Sequence, residues 1–168
     1  MATVHFQGAP MQTVGMLPVT GSIAPDFKLT KQDLSDITLD DLKGKRVVLN
    51  IFPSLDTDVC AASVRRFNKD VASYPDTVVL CVSKDLPFAA TRFCTANGIE
   101  NVITASAFRS KFGEEYGVEI ADGPLAGLFA RAIVVIDKDG RVLGSSLNEE
   151  ITEEPDYSFV ATLLKENP

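Results

Sequence analysis

The three cysteines are the residues of this 168-residue chain with the most distinctive chemistry, and they lie at positions 60, 81 and 94. Their spacing is too wide for a CxxC zinc or redox motif. Cys60 comes shortly after a buried apolar run, Arg46–Phe52, and Pro53, at the start of a predicted helix. A thiol in the first turn of a helix faces unpaired N–H groups and the positive end of the helix dipole, and both favour the thiolate. Cys60 is therefore the candidate nucleophile.

The reactivity of such a thiol depends on how far its pKa falls. With an ordinary pKa near 8.5, about 3% of a thiol is ionised at pH 7, whereas about 90% is ionised when the pKa is near 6. That change needs about 3.4 kcal/mol of differential stabilisation, and a helix end supplies only about 0.3 to 2 kcal/mol. A cation must supply the rest, and Thr57 could add an O–H hydrogen bond from three residues upstream.

Each of these residues also has a purely structural interpretation. Cys60 continues the apolar stripe of the predicted helix, so it could be a small core residue. Thr57 could simply cap the helix, and the carboxylates of Asp56 and Asp58 oppose ionisation of a nearby thiol. The only histidine, His5, lies in a predicted N-terminal hairpin, which disfavours a Cys–His catalytic pair. Residue types and spacing leave both interpretations of Cys60 open.

The segments around Cys60 predict a parallel βαβαβ unit. Apolar runs predict strands at Arg46–Phe52, Thr77–Ser83 and Asn101–Ala105, and these alternate with predicted helices over 58–73 and Pro87–Asn97. A strand without polar alternation is typical of the centre of a sheet with helices above and below it.

The remaining segments complete the predicted domain. Strands at Arg131–Ile136 and Arg141–Ser146 flank an Asp-Gly turn, and a last helix has Pro155 in its first turn. The sequence of residues 1–17 predicts a small N-terminal hairpin, and it contains no candidate catalytic residue. We expect one domain over residues 1–168, an α/β thioredoxin-like sandwich with an N-terminal β-hairpin and a central mixed sheet flanked by helices.

Composition excludes several classes of protein. The net charge of −7 argues against nucleic acid as a partner, and no apolar stretch approaches the roughly 20 residues that a membrane span needs. The first twenty residues lack Lys and Arg, so we expect no secretory signal and a cytoplasmic location. No phosphate-binding loop, dinucleotide-binding glycine motif or calcium loop is present, so we expect neither a cofactor nor a metal.

Several motifs together resemble one family. The pattern Pro53-x-x-x-Thr57-x-x-Cys60 after a buried strand resembles the peroxidatic motif of the peroxiredoxins. The resemblance is closer to their atypical two-cysteine thiol peroxidase branch, and it covers nearly the whole chain. It rests on Gly21-Ser22-x-Ala24-Pro25-x-Phe27-x-Leu29, Asn50–Ser54, Cys60–Asn68, Asp85–Ala89, Arg92–Cys94, Ala121–Leu125 and Ala130–Ala132.

The resemblance implies a role for each candidate residue. Cys60 would be the peroxidatic cysteine and Cys94 the resolving cysteine, joined in an intramolecular disulfide. Thr57 would hydrogen-bond the peroxide and the thiolate, Arg131 would be the required cation, and Pro53 would shield the sulfur from water. The implied substrates are hydrogen peroxide and alkyl hydroperoxides, the implied reductant is thioredoxin, and the implied assembly is a homodimer.

Without the family, these residues have simpler interpretations. Arg131 could form an ordinary surface ion pair, and Cys94 could pack on a helix face. Cys81 lies inside a predicted buried strand, where an apolar setting raises the pKa of a thiol and keeps it inert. Two other functions also use this scaffold: a thiol–disulfide exchanger, disfavoured because Thr57 stands where CxxC needs its first cysteine, and a non-enzymatic binding or holdase module.

Overall fold

The computed structural model describes residues 1–168. It contains nine strands and four helices, with short 3-10 turns at Asp40–Leu42 and Val71–Ser73. The strands are β1 (Thr3–Phe6), β2 (Ala9–Gln12), β3 (Lys28–Lys31), β4 (Asp36–Thr38), β5 (Arg46–Ile51), β6 (Thr77–Ser83), β7 (Ile103–Ser106), β8 (Ala132–Ile136) and β9 (Val142–Leu147). The helices are α1 (Asp58–Asp70), α2 (Pro87–Asn97), α3 (Phe112–Glu115) and α4 (Tyr157–Glu166).

Seven of the strands form one mixed sheet in the order β4-β3-β7-β6-β5-β8-β9. Strands β5, β6 and β7 are parallel, whereas β8 runs antiparallel to β5 and β9 antiparallel to β8. Every residue of β5 is buried. The predicted βαβαβ unit, the antiparallel hairpin after it and the mixed sheet flanked by helices are confirmed.

The helices cover the two faces of the sheet unequally. The chain moves in one direction from β5 to β6 to β7, so right-handed crossovers place α1 and α2 on the same face. These two helices share one apolar cluster with α4, and that cluster contains both Cys60 and Cys94. The opposite face packs against the short α3 and the segment around Phe27. The two cysteines thus lie on one side of the sheet.

Local signals set the ends of the helices. Helix α2 starts at Pro87 and ends at Gly98, whose φ of +64° suits glycine. The prediction that Pro155 lies in the first turn of α4 is wrong, because the Asp156 carboxylate accepts hydrogen bonds from the Ser158 and Phe159 N–H groups and caps the helix there. Pro155 precedes that cap. No helix is long and apolar enough to cross a membrane.

The N-terminal hairpin forms a separate two-stranded sheet that packs on the rest of the molecule. Its turn, Gln7–Gly8, has positive φ at both residues, as type I′ turns require. The sequence predicts these strands at residues 4–7 and 12–14, and both begin and end one to three residues earlier in the structure. Val4 and Met11 pack with Ile151 in a small apolar cluster.

Candidate active site

Cys60 lies in the first turn of α1 and is completely buried. Thr57 is the N-cap residue: its hydroxyl accepts a hydrogen bond from the Cys60 N–H at 3.2 Å and donates to the Ser54 carbonyl oxygen at 3.2 Å. The capping interpretation of Thr57 is therefore confirmed. In this state its hydroxyl bonds to the backbone rather than to the Cys60 sulfur.

Arg131 supplies a cation at the thiol. It directly precedes β8, whose first residue, Ala132, pairs with Ile51 at the end of β5. The chain continues from β5 toward Cys60, so the sheet register brings the two side chains together. Arg131 Nη2 donates to Cys60 Sγ at 3.1 Å, and the side chain is 1% exposed. The surface ion pair considered for Arg131 is wrong, because no carboxylate pairs with this buried guanidinium.

The other two nitrogen atoms of the Arg131 guanidinium differ in their hydrogen bonding. Its Nε donates to the Ile151 carbonyl oxygen at 2.9 Å. Its Nη1 is buried and has no protein acceptor. One edge of the guanidinium therefore keeps an unused N–H donor beside the sulfur.

The loop between β5 and α1 is held by a carboxylate that the sequence analysis did not single out as functional. Asp85, just after β6, accepts from the Leu55 N–H at 2.7 Å, the Ser54 hydroxyl at 2.8 Å and the Ser83 hydroxyl at 2.7 Å. Parallel neighbouring strands end at the same edge of the sheet, which was the available signal for this contact. Asp85 thus fixes the segment that positions the start of α1.

The two acidic residues that oppose a thiolate at Cys60 lie at the surface. Asp56 and Asp58 are both exposed, unlike Cys60. The Asp56 carboxylate lies 3.5 Å from Nη2 of Arg92 on α2. Water and this arginine weaken the field of Asp56 at the buried sulfur.

A mostly apolar cavity of about 180 Å³ opens beside Arg131 and Thr57. Pro53, which is buried, forms part of its wall together with Leu125 and Leu128. Further lining residues are Phe6, Ser54, Asp58, Val59, Ile151 and Thr152. The hairpin, in which the sequence showed no catalytic residue, thus contributes an aromatic wall.

Phe129 is another apolar residue shortly before Arg131, but unlike Leu125 and Leu128 it does not line this cavity. It is fully buried, and its ring packs against Phe112 with centroids 5.7 Å apart. Cavities of about 210, 300 and 510 Å³ elsewhere on the molecule have no cysteine in their walls, and a cavity of about 10 Å³ is lined by Cys81. The cavity at Arg131 is the one whose wall includes the guanidinium that is bonded to Cys60.

Cys94 lies in the second half of α2 and is 5% exposed. Gln32 Nε2 donates to its sulfur at 3.4 Å, and the Thr104 hydroxyl lies 3.9 Å away. Burial raises the pKa of the Cys94 thiol, while the hydrogen bonds from Thr104 and Gln32 lower it. Neither of these partners was predicted, because they reach Cys94 from β7 and from the turn after β3.

Cys81 lies in β6 and is also buried. Burial raises its pKa to about 12, and the only side-chain donor is Asn50 Nδ2 at 3.7 Å. The predicted raised pKa of Cys81 is confirmed. All three cysteines are free thiols. No group of three or more His, Cys, Asp and Glu side chains is placed to hold a metal ion.

Comparisons with known proteins agree with this site. Residues 19–161 match the Redoxin family model. The chain is 59% identical over 164 residues to the thiol peroxidase of Mycobacterium tuberculosis and 52% identical to that of Corynebacterium glutamicum; each alignment covers 98% of this chain and 99% of the relative. The crystal structure of a peroxiredoxin-like protein from Aquifex aeolicus has a TM-score of 0.95 at 40% identity, covering 100% of this chain and 98% of that chain. This chain therefore belongs to the Redoxin family, as a peroxiredoxin of the thiol peroxidase type, and it is an enzyme that reduces peroxides with a thiol.

Proposed function

We propose that Cys60 is the peroxidatic cysteine. The observation that carries this proposal is the 3.1 Å contact between Cys60 Sγ and the buried guanidinium of Arg131. A cation at this distance inside a protein favours the thiolate far more than it would in water. Neither Cys81 nor Cys94 has a cationic hydrogen-bond donor at its sulfur.

The first step is a displacement at the peroxide. The Cys60 thiolate attacks one peroxide oxygen, an S–O bond forms, and the O–O bond breaks. The leaving alkoxide takes a proton and departs as an alcohol, or as water when the substrate is hydrogen peroxide, and Cys60 is left as a sulfenic acid. The unused Nη1 donor of Arg131 stabilises charge on the leaving oxygen.

Thr57 and Pro53 complete the proposed site. Both line the cavity beside Arg131. The Thr57 hydroxyl hydrogen-bonds a peroxide oxygen when substrate enters, and Pro53 limits the access of water to the sulfur. The apolar walls formed by Leu125, Leu128 and Phe6 favour alkyl hydroperoxides, although hydrogen peroxide also fits.

Cys94 is the proposed resolving cysteine. Its thiol attacks the Cys60 sulfenic acid, an S–S bond forms, and water leaves. Thioredoxin then reduces the intramolecular disulfide by thiol–disulfide exchange, which restores both thiols. Cys60 and Cys94 lie on helices that share one apolar cluster, whereas Cys81, which belongs to the same cluster, lies inside strand β6 of the central sheet; this difference supports the pairing.

The organisation of the chain is also part of the proposal. Residues 1–168 act as one domain with residues 1–17 as an extension, supported by the packing of Val4 and Met11 on Ile151. A homodimer would cover exposed apolar side chains such as Leu86 and Phe88. Three free thiols fit the reducing conditions of the cytoplasm.

Titration of the reduced protein with one equivalent of cumene hydroperoxide tests the chemistry. We expect rapid loss of two thiols, with a peptide map that contains a Cys60–Cys94 disulfide. Slow or absent loss would favour a binding module, and loss only with a disulfide substrate would favour a thiol–disulfide exchanger. Loss of two thiols with a different pairing would contradict the assignment of Cys94.

A further inference from the structure

The Glu150 carboxylate, which lies outside the proposed active site, accepts four hydrogen bonds. Its oxygens accept from the Gln7 N–H at 3.2 Å and the Gly8 N–H at 2.8 Å, in the turn of the N-terminal hairpin. They also accept from the Thr152 N–H at 3.0 Å and the Thr152 hydroxyl at 2.8 Å. These bonds lower the pKa of Glu150 to about 2, so the carboxylate is charged throughout the physiological pH range. Glu150 thus ties together two segments that are far apart in the sequence.

The residues on either side of Glu150 extend this connection through the backbone. The His5 N–H donates to the Glu149 carbonyl oxygen at 2.6 Å, and the Ile151 N–H donates to the His5 carbonyl oxygen at 2.9 Å. The Ile151 side chain is buried against Val4 of the hairpin. Segment 149–152 therefore depends on the hairpin for most of its fixed contacts.

The Ile151 carbonyl oxygen is the only protein oxygen that accepts a hydrogen bond from the Arg131 guanidinium. The guanidinium is planar and rigid, so anchoring Nε fixes the direction of Nη2 toward Cys60. Its other protein contact is the Cys60 sulfur itself, since Nη1 has no protein acceptor. A small shift of this carbonyl would turn the cation away from the thiol.

We infer that Glu150 is a positioning residue for peroxide reduction: by fastening the hairpin turn to segment 149–152, it fixes the Ile151 carbonyl that orients Arg131 toward Cys60. This inference rests on the proposed roles of Cys60 and Arg131. It also gives the N-terminal hairpin a function in catalysis beyond its wall contribution through Phe6. The alternative is that Glu150 only stabilises a surface turn.

The rate of peroxide reduction in two backgrounds separates these alternatives. The second-order rate constant with cumene hydroperoxide is measured by stopped flow for Glu150→Ala, Arg131→Met and the double variant. The matched control is Glu153→Ala, because Glu153 directly follows this segment and its side chain makes no hydrogen bond or ion pair. Glu150→Ala loses the orienting contacts, so its rate constant should fall by roughly threefold to tenfold, the effect of about one hydrogen bond. The rate constant of Glu153→Ala should equal that of the wild type.

The double variant carries the decisive comparison. If Glu150 acts through Arg131, Glu150→Ala causes no further loss in the Arg131→Met background. The rate of the later disulfide-forming step should be unchanged in Glu150→Ala, whereas general loosening of the fold would alter both steps. Glu150→Gln keeps the side-chain volume and one acceptor oxygen, so we expect a smaller loss of rate than in Glu150→Ala.

Different outcomes would contradict the inference about Glu150 and the proposed role of Arg131 on which it rests. If Arg131→Met slows the peroxide step but Glu150→Ala does not, the inference is wrong and the proposed role of Arg131 stands. Equal losses from Glu150→Ala in both backgrounds also overturn it. If Arg131→Met itself reacts like the wild type, the proposed role of Arg131 fails, and the inference fails with it.

Discussion

Cys60 and Cys81 lie in the same apolar cluster and are both buried, yet the groups that contact their sulfur atoms differ in charge. A guanidinium nitrogen lies 3.1 Å from Cys60, whereas Cys81 has only a neutral amide nitrogen at 3.7 Å. Burial is the main cause that raises the pKa of Cys81 to about 12. Burial is therefore common to both thiols, and the guanidinium that the sheet register places at the sulfur distinguishes Cys60.

The largest difference in peroxidase turnover is expected when each of these two thiols is removed in turn. Cys60→Ser should abolish peroxidase turnover, because the hydroxyl of serine is not a nucleophile at neutral pH. Cys81→Ser should leave turnover largely intact, since that sulfur has no cationic partner. Steady-state peroxidase assays with a thioredoxin system measure both. Comparable losses in the two variants would contradict the assignment of Cys60.

The two buried arginines provide the next test. Arg131→Met should slow the reaction with peroxide by roughly a hundredfold, as removal of one oxyanion donor does in other enzymes. Arg46 instead donates to the carbonyl oxygens of Pro75, Leu164 and Asn167, so Arg46→Met should lower the Tm and leave the peroxide rate of the folded protein unchanged. Stopped-flow rates and thermal unfolding separate the two effects. A wild-type peroxide rate in Arg131→Met would remove the basis of the comparison.

The next prediction concerns motion of α1 and α2, the helices that carry Cys60 and Cys94. Both sulfur atoms are buried and hydrogen-bonded to other side chains, Cys60 to Arg131 and Cys94 to Gln32. These contacts must break before Cys60 and Cys94 can join, and we expect at least one of the two helices to unwind locally when they do. Hydrogen exchange in residues 57–64 and in Pro87–Asn97 should be faster in the oxidised than in the reduced protein. Unchanged exchange in a protein with the mapped disulfide would show that no unwinding is needed.

The smallest expected effect concerns Cys81 at high pH. Its pKa in the folded protein, about 12, lies above the ordinary value of 9.0, because burial favours the neutral thiol. The corresponding stabilisation is fully present below pH 9 and is lost as the pH rises toward 12. The free energy of unfolding of Cys81→Ala should therefore fall less between pH 9 and pH 11 than that of the wild type. Parallel curves in denaturant titrations would show that Cys81 is not protonated preferentially in the fold.

The sequence predicted the parts of this molecule that depend on local patterns. The all-apolar β5 and the Pro87 and Gly98 boundaries of α2 were placed correctly, because burial and backbone conformation constrain neighbouring residues directly. Pro155 was misplaced because Asp156 is the stronger capping group. The position of Phe129, two residues before Arg131, gave no sign that its ring would pack against Phe112 rather than line the cavity.

Most of the long-range contacts around the candidate site were beyond the reach of sequence patterns, and the shared edge of the parallel strands was the one available signal, for Asp85. Asp85, Gln32 and Glu150 each act on residues at least 30 positions away, through side-chain hydrogen bonds that leave no periodic signal. Only the family resemblance suggested that Arg131 faces Cys60. The sheet register between β5 and β8 then explains how residues 71 positions apart meet.

The exposed contact between Asp56 and Arg92 makes one step of the cycle sensitive to ionic strength. It joins the loop before α1 to α2, so it must open when either segment rearranges. Exposed pairs of this kind contribute less than about 1 kcal/mol and weaken as salt screens them. Added salt should therefore modestly accelerate disulfide closure. The peroxide step, for which we propose a role of the buried Arg131, should keep its rate because buried charges are screened much less.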